Sequence, residues 1–335
     1  MKSTARIFFM AAISFVLVFS LPAGNAAAAP AYTIKLAHNM SPGPTSAYDI
    51  WGHKFAELCK KYSDGKIAVT VYPGGQLGED VNVAQQIQLG TIQMEIIAYN
   101  NLSRYYRPVQ IFSLPFLFKS FDSAIKGIDG QVAKKIATDF RGATGLRILG
   151  TAPLGFRAIT NSKHPILKPE DLNGIKLRVP PSPIFTDTFK ALGASPVTIP
   201  SNELFSALQQ KVVDGQEAVM TWAYTNGFAE VQKYLSVTNH GLTLSVMLVG
   251  DKYFEKMPPE MRKVMERSAR ESTQVVAAFA RKDNQDVIGK FKAAGLQVDY
   301  PDTAPFQKVV QPVYEKNAKV VGGMDLIQKL IQETK

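Results

Sequence analysis

Alternating apolar and polar residues in Tyr32-Thr33-Ile34-Lys35-Leu36-Ala37 predict a strand. Ser41-Pro42-Gly43-Pro44 then forces a loop, and Ser46 is placed to cap a helix reaching about Tyr62. Gly65 stops that helix, Lys66 to Tyr72 alternates as a second strand, and Pro73-Gly74-Gly75-Gln76-Leu77-Gly78 is a turn. A helix from about Glu79 to Leu89 and a third strand, Ile92 to Ala98, complete a strand-helix alternation. That order predicts an α/β fold with a mostly parallel sheet and helices on both faces. Further strands are expected at Leu146 to Ala152, Ala158 to Asn161 and Ile175 to Val179, with a helix at Asn202 to Gln210. Pro196 to Pro200 reads as a short strand inside a second α/β unit between Ser182 and Gly215. From Pro259 to about Ala294 the apolar spacing of Met261, Val264, Met265, Val275, Val276, Phe279, Val287, Ile288 and Phe291 predicts one long helix, or two joined by a kink. At 1.5 Å per residue such a helix would be about 50 Å long, enough to bridge two domains.

A chain of 335 residues has room for about two domains, and 46% apolar with 20% charged residues describes a globular protein with a sizeable core. The net charge of +10 is spread along the chain without a run of like charges. The single cysteine, Cys59, can form neither an intrachain disulfide nor a CxxC metal or redox site. The N-terminus does change the picture. Lys2 and Arg6 precede an apolar stretch from Ile7 to Leu21, which Pro22 and Gly24 break before the small residues Ala26 to Ala29. This is the pattern of a cleaved secretory signal, expected to cover residues 1–29, with an apolar stretch shorter than the roughly 20 residues of a spanning helix. The mature chain is then expected in the periplasm, and nucleic acid is not an expected partner.

No motif of common catalytic chemistry is present. His38, His53, His164 and His240 are scattered, and there is no HExxH, GxSxG, Walker or GxGxxG pattern. Gly74, Gly75 and Gly78 lack a following Lys-Ser/Thr and read as a tight turn. No cofactor and no metal site are expected. In Ile175 to Val179 the alternation puts Lys176 and Arg178 on one sheet face, and Pro180-Pro181 ends the strand. Arg178 therefore sits near a carboxyl end, where open α/β sheets place ligand crevices. By composition alone the same strand could be an edge with two solvated cations.

Three ordered blocks then carry a resemblance: PILKPEDLNGIKLRVPPSP, ALGASPVTIP and ELFSALQQKVVDGQE, all between Pro165 and Glu217. With YPGGQLG, IFSLPFLF, GFRAITN and EVQKYLSVTNHG, the chain resembles the DctP-type extracytoplasmic solute-binding proteins of tripartite ATP-independent periplasmic (TRAP) transporters over essentially its whole mature length. The resemblance implies two α/β domains hinged over one small organic acid and a long helix spanning both. The domains would be residues 30–154 plus about 244–283, and 155–243 plus about 284–335. It implies that Arg178 clamps the ligand carboxylate and that Arg157, in the GxRxxTN segment, is a second pocket arginine; two cations without partners would favour an open, wet cleft until an anion arrives. His38 and Asn39 match a rim position, and Tyr99, Asn100 and Trp222 fall beside pocket segments. Ala218 stands where dicarboxylate and sialic-acid binders usually carry Asn, and Ala98 stands where sialic-acid binders carry an acid. These replacements imply a monocarboxylate with an apolar or aromatic body. Glu203 is expected to orient structure without touching ligand.

The implied partners are an organic acid and the small and large membrane subunits of a transporter, with the protein itself a monomer and not an enzyme. A C4-dicarboxylate is the alternative ligand, and a metal bridging ligand and protein stays open. A periplasmic enzyme acting on an organic acid, or a sensor docking on a membrane receptor, would use the same cleft.

Overall fold

The computed structural model describes residues 29–335, so the expected signal segment lies outside the described residues, Ala29 excepted. The strands are β1 (Tyr32–Ala37), β2 (Ile67–Tyr72), β3 (Met94–Ala98), β4 (Leu146–Asn161), β5 (Lys176–Val179), β6 (Ser195–Thr198), β7 (Gly215–Val219), β8 (Tyr234–Gly250) and β9 (Gln297–Asp299). They form one sheet in the order β2-β1-β3-β8-β4-β7-β5-β6, with β9 also paired to β8.

Two strands, β4 and β8, make one sheet serve two lobes. They run antiparallel from Leu146 opposite Gly250 to Asn161 opposite Tyr234. The Met94–Ala98 strand pairs with Ser245–Val249 of β8, so β2, β1 and β3 extend one end of the pair. The other end carries β7 on Arg157–Asn161 and β9 on Tyr234–Ser236. Parallel pairing is confined to the strands outboard of these, plus β9 on β8, and the sheet is mixed rather than mostly parallel. The expected break between Ala152 and Ala158 is absent. Pro153 and Gly155 look like breakers, but the β4 register shifts at Ile148/Gly150, Pro153/Gly155 and Arg157/Ile159 absorb them as bulges. Gly155 has φ 151, and a Cβ there would lie 2.8 Å from Val219 Cγ1.

Helix Pro259–Ala293 is one unbroken helix of 35 residues, with Gly289 inside it. Its buried stripe, Met261, Met265, Ser268, Ser272, Val276, Ala280, Asp283, Val287 and Phe291, advances by three or four residues. Residues up to Ala280 pack into the large apolar core around Trp51 and Phe55, whereas Val287 and Phe291 enter a smaller one with Leu204, Leu208 and Phe228. One helix thereby braces both lobes. Proline at the first helical position, Glu260 in the first turn and Lys290 and Lys292 in the last complement its dipole.

The C-terminal segment ties the lobes a third time. Lys316 pairs with Asp187 at 2.7 Å, whereas Glu333 accepts from the Gln131 and Val132 amides at 3.0 and 3.1 Å in the first lobe. The stretch after 284 thus contacts both Asp187 and the start of the helix at Gln131. Among the described residues no helix is long and apolar enough to cross a membrane.

Candidate ligand-binding site

The carboxyl ends of β1, β3, β5 and β7 converge on a cleft between the lobes, as in other open α/β sheets. The cleft has a volume of about 110 Å³. Its lining includes Asn39, Asn100, Arg157, Arg178, Ala218 and Trp222, six of the eight residues expected there. Each is held by its element. Gly74 and Gly75 adopt left-handed conformations that let their amides bond the Met40 and His38 carbonyls at 2.8 and 3.0 Å, which fixes the loop bearing Asn39. Asn100 lies in the 3₁₀ turn after β3, and Trp222 in the short helix Met220–Thr225 after β7.

Arg178 is 3% exposed. Its Nε donates to the Ile199 carbonyl at 2.8 Å, which orients the guanidinium plane. Its two terminal nitrogens make no hydrogen bond among the described residues, and Trp222 lies 6.0 Å from the guanidinium carbon. Burial lowers its pKa to about 9, opposed by the Glu217 charge and aided by Arg157. A buried guanidinium with its outer fork unspent has donors to spare, in a planar geometry that matches a carboxylate.

Arg157 differs from the expectation of a second unpartnered cation. Its Nε and Nη2 donate to the two carboxylate oxygens of Glu217 at 2.6 and 2.8 Å, and Nη1 donates to Thr243 Oγ1 at 2.8 Å. The register sets Ile159 opposite Glu217, so Arg157 is its diagonal neighbour on the same face. Burial pushes the Glu217 carboxyl up, but the Arg157 guanidinium and the hydrogen bonds from His240 and Arg157 outweigh it and hold it below the ordinary range. His240 lies 3.0 Å from Glu217 through Nε2 and 2.7 Å from Thr238 Oγ1 through Nδ1. Burial lowers its pKa despite Glu217, so the neutral ring donates from Nε2 and accepts at Nδ1. Arg157 is thus neutralised, and Arg178 carries the site's uncompensated positive charge.

Two expected residues stand elsewhere. His38 is 2% exposed and turned from the cleft, with Nε2 3.3 Å from Asp49 Oδ1. Its position at the end of β1 suggested a rim, but the chain turns between His38 and Asn39 and only the latter reaches the cleft. Tyr99 is buried beside Phe112 at 4.8 Å, with its hydroxyl 3.4 Å from Thr151 Oγ1; it borders a separate small cavity behind Asn100 and Arg157.

The sequence reading missed the wall opposite Arg178. Asp80, first residue of helix Asp80–Leu89, accepts on Oδ2 from Asn39 Nδ2 at 2.8 Å and Asn101 Nδ2 at 2.6 Å, while Asn100 Nδ2 donates to Asn101 Oδ1 at 2.6 Å. Asn39 Nδ2 also reaches Ser201 Oγ of the second lobe at 3.3 Å, so the lobes touch across the cleft. Asn39 and Asn100 of this network are expected cleft residues; Asp80 and Asn101 are not, because no local pattern links them to the other two.

The described residues contain no cluster of three or more His, Cys, Asp or Glu side chains that could hold a metal. Comparison with known proteins decides the family. Residues 36–319 match the model of DctP, bacterial extracellular solute-binding protein, family 7. The chain belongs to this family of solute-binding proteins. It is 30% identical to the 2,3-diketo-L-gulonate-binding periplasmic protein YiaO of Escherichia coli, over 76% of this chain and 77% of that protein. Among solved structures, the sugar acid binding protein DctPAm of Advenella mimigardefordensis in complex with galactonate superposes with a TM-score of 0.86 at 30% identity, covering 91% of this chain and 98% of that one. A TRAP periplasmic solute-binding protein of Sulfurospirillum deleyianum with bound succinate gives 0.85, also at 30% identity, over 91% of this chain and 100% of its own. The chain shares its two-lobed architecture and long bracing helix with these solved structures.

Proposed function

We propose that this DctP-family protein works in the periplasm as the receptor of a TRAP transporter, closing its lobes on a hydroxylated carboxylic acid of the sugar-acid class and presenting it to the membrane subunits. The observation that carries the reading is the free outer fork of Arg178, buried at 3% exposure with no carboxylate among the described residues in hydrogen-bond contact. A ligand carboxylate supplies that missing partner, and the closed cleft then excludes water from the pair. The tail is argued from the opposite wall. Asn39, Asn100, Asn101 and Asp80 line the cleft as a polar network, already bonded within itself, whose remaining acceptor and donor capacity suits hydroxyl groups better than a hydrocarbon. The relatives described as binding 2,3-diketo-L-gulonate and galactonate support the same class.

Ala218, Val219 and Trp222 favour a second reading, an apolar or aromatic monocarboxylate lying against the second lobe. The lobes are proposed to pivot where β4 and β8 cross, with binding and release leaving the solute chemically unchanged. A thermal-shift panel of sugar acids, C4-dicarboxylates, 2-oxo acids and aromatic monocarboxylates separates the readings. At about a hundred times its dissociation constant a true ligand stabilises by roughly 2.7 kcal/mol, several degrees for lobes of this size. The proposal expects the largest shift from a sugar acid and its recovery intact after prolonged incubation. A shift confined to aromatic acids would replace the ligand class, and conversion to product would replace the receptor by an enzyme.

A further inference from the structure

Beside the cleft lies a smaller cavity that shares Met40, Val219, Trp222 and Thr243 with it. Its volume is about 30 Å³, room for roughly two waters at 10–15 Å³ each. One wall is the start of helix Ala47–Tyr62, another is helix Met220–Thr225 with Thr221, and the third is the long helix with Asp283.

Ser46 is the unusual feature. It is the N-cap of a 16-residue helix, with extended backbone, yet its side chain makes no capping bond. It is 7% exposed, lines the cavity, and its Oγ has no hydrogen-bond partner among the described residues. Asp49, in the same first turn, bonds the Gly43 amide at 2.8 Å and lies by His38 instead of returning to Ser46. A buried hydroxyl left this way costs free energy that an occupant of the cavity would recover. On the far side Asp283, held by Lys290 at 2.6 Å, offers a carboxylate acceptor. The acids Asp49 and Asp283 offset the positive field of the helix start, which argues against a second anion. A neutral hydroxyl fits, because it accepts from Ser46 and donates to Asp283 or Thr221.

We propose that this annex is a subsite for the terminal hydroxymethyl group of the ligand, so that the protein measures the length of a hydroxylated acid between Arg178 and Ser46. Trp222, which borders both cavities, is the surface along which the carbon chain runs. The inference rests on the hydroxy-acid reading and adds to it a discrimination by chain length. The annex has room for a group of two heavy atoms, the size of CH₂OH.

Calorimetric titration with D-erythronate, a five-carbon aldonate and galactonate tests it on the unsubstituted protein, Thr221→Leu, which fills the annex, and Ser46→Ala, which removes its orphaned hydroxyl. The expected result is tightest binding by the acid long enough to reach the annex. Thr221→Leu should weaken that acid at least tenfold and the shorter ones less than twofold, and Ser46→Ala should weaken it about fivefold, with melting temperatures confirming that both variants fold. Equal weakening of all three acids, or none, in both variants would overturn the annex while leaving the carboxylate clamp in place. No binding of any aldonate to the unsubstituted protein would overturn the hydroxy-acid reading and the annex with it.

Discussion

Arg178 and Arg157 are the same residue type, equally buried, in one cleft, yet they have opposite relations to stability. Arg157 is locked to Glu217, which is itself fully buried. Removing it leaves an uncompensated carboxylate, so Arg157→Ala should cost about 3–5 kcal/mol in urea unfolding of the ligand-free protein. Arg178 has no carboxylate partner among the described residues and its charge is disfavoured by burial, so Arg178→Met should leave the ligand-free protein no less stable. Equal destabilisation by the two substitutions would contradict this division. The distinction was not legible in the sequence. Strand alternation and Pro180-Pro181 are enough to place Arg178 at a carboxyl end, and the role proposed for it is the one the family resemblance implies. Glu217 could be recognised as Arg157's partner only from the β4/β7 register, which no local pattern encodes. The Asp80 network escaped for the same reason: Asn39 bonds Asp80 across 41 positions of the chain and Ser201 across 162.

At the scale of elements, short strands with a solvated face and the long helix were readable because periodicity and turn residues agree in them. The two strands that organise the molecule were not. Nearly every residue of β8 is buried, so it shows no alternation, and its centre, Thr238-Asn239-His240, reads as a loop. In β4, Pro153 and Gly155 imitate a strand end while marking bulges between the lobes. Gly155 has a backbone conformation that other residues rarely adopt, and little space for a side chain. Gly155→Ala should therefore lower stability by about 1–3 kcal/mol, read as a fall in melting temperature, and weaken ligand binding through the misplaced crossing. An unchanged melting temperature would mean that β4 carries no strain at this point.

The molecule as a whole should respond to pH through the acids of the first lobe. Burial pushes Asp80 up to about 7, against the Asn101 hydrogen bond and with the Glu79 charge. Glu95 on β3 is 1% exposed, neither carboxyl oxygen has a partner among the described residues, and burial followed by the Asp80 charge raises it well above the usual carboxylate range. Folded Asp80 keeps a proton that the unfolded chain releases near 3.8. Its contribution to stability is fully present below that pH and is lost as the pH rises through about 7. Glu95 acts in the same direction, and Glu217 in the opposite one, because its folded pKa is depressed. Urea unfolding of the parent protein and Asp80→Asn should isolate the first term. Between pH 5 and 8 the parent should lose about 2 kcal/mol relative to the variant, whereas parallel profiles would show that Asp80 is ionised throughout.

The central claim is that Arg178 is the carboxylate anchor of a closing cleft. Its most direct test is calorimetric titration of the acid that gives the largest thermal shift into the parent protein and into Arg178→Ala. A micromolar complex is worth about −8 kcal/mol, and losing a buried charge-assisted pair costs about 3 kcal/mol. The account predicts a dissociation constant weakened at least a hundredfold, in a variant whose ligand-free melting temperature does not fall. An affinity within threefold of the parent's would mean that the acid is held elsewhere.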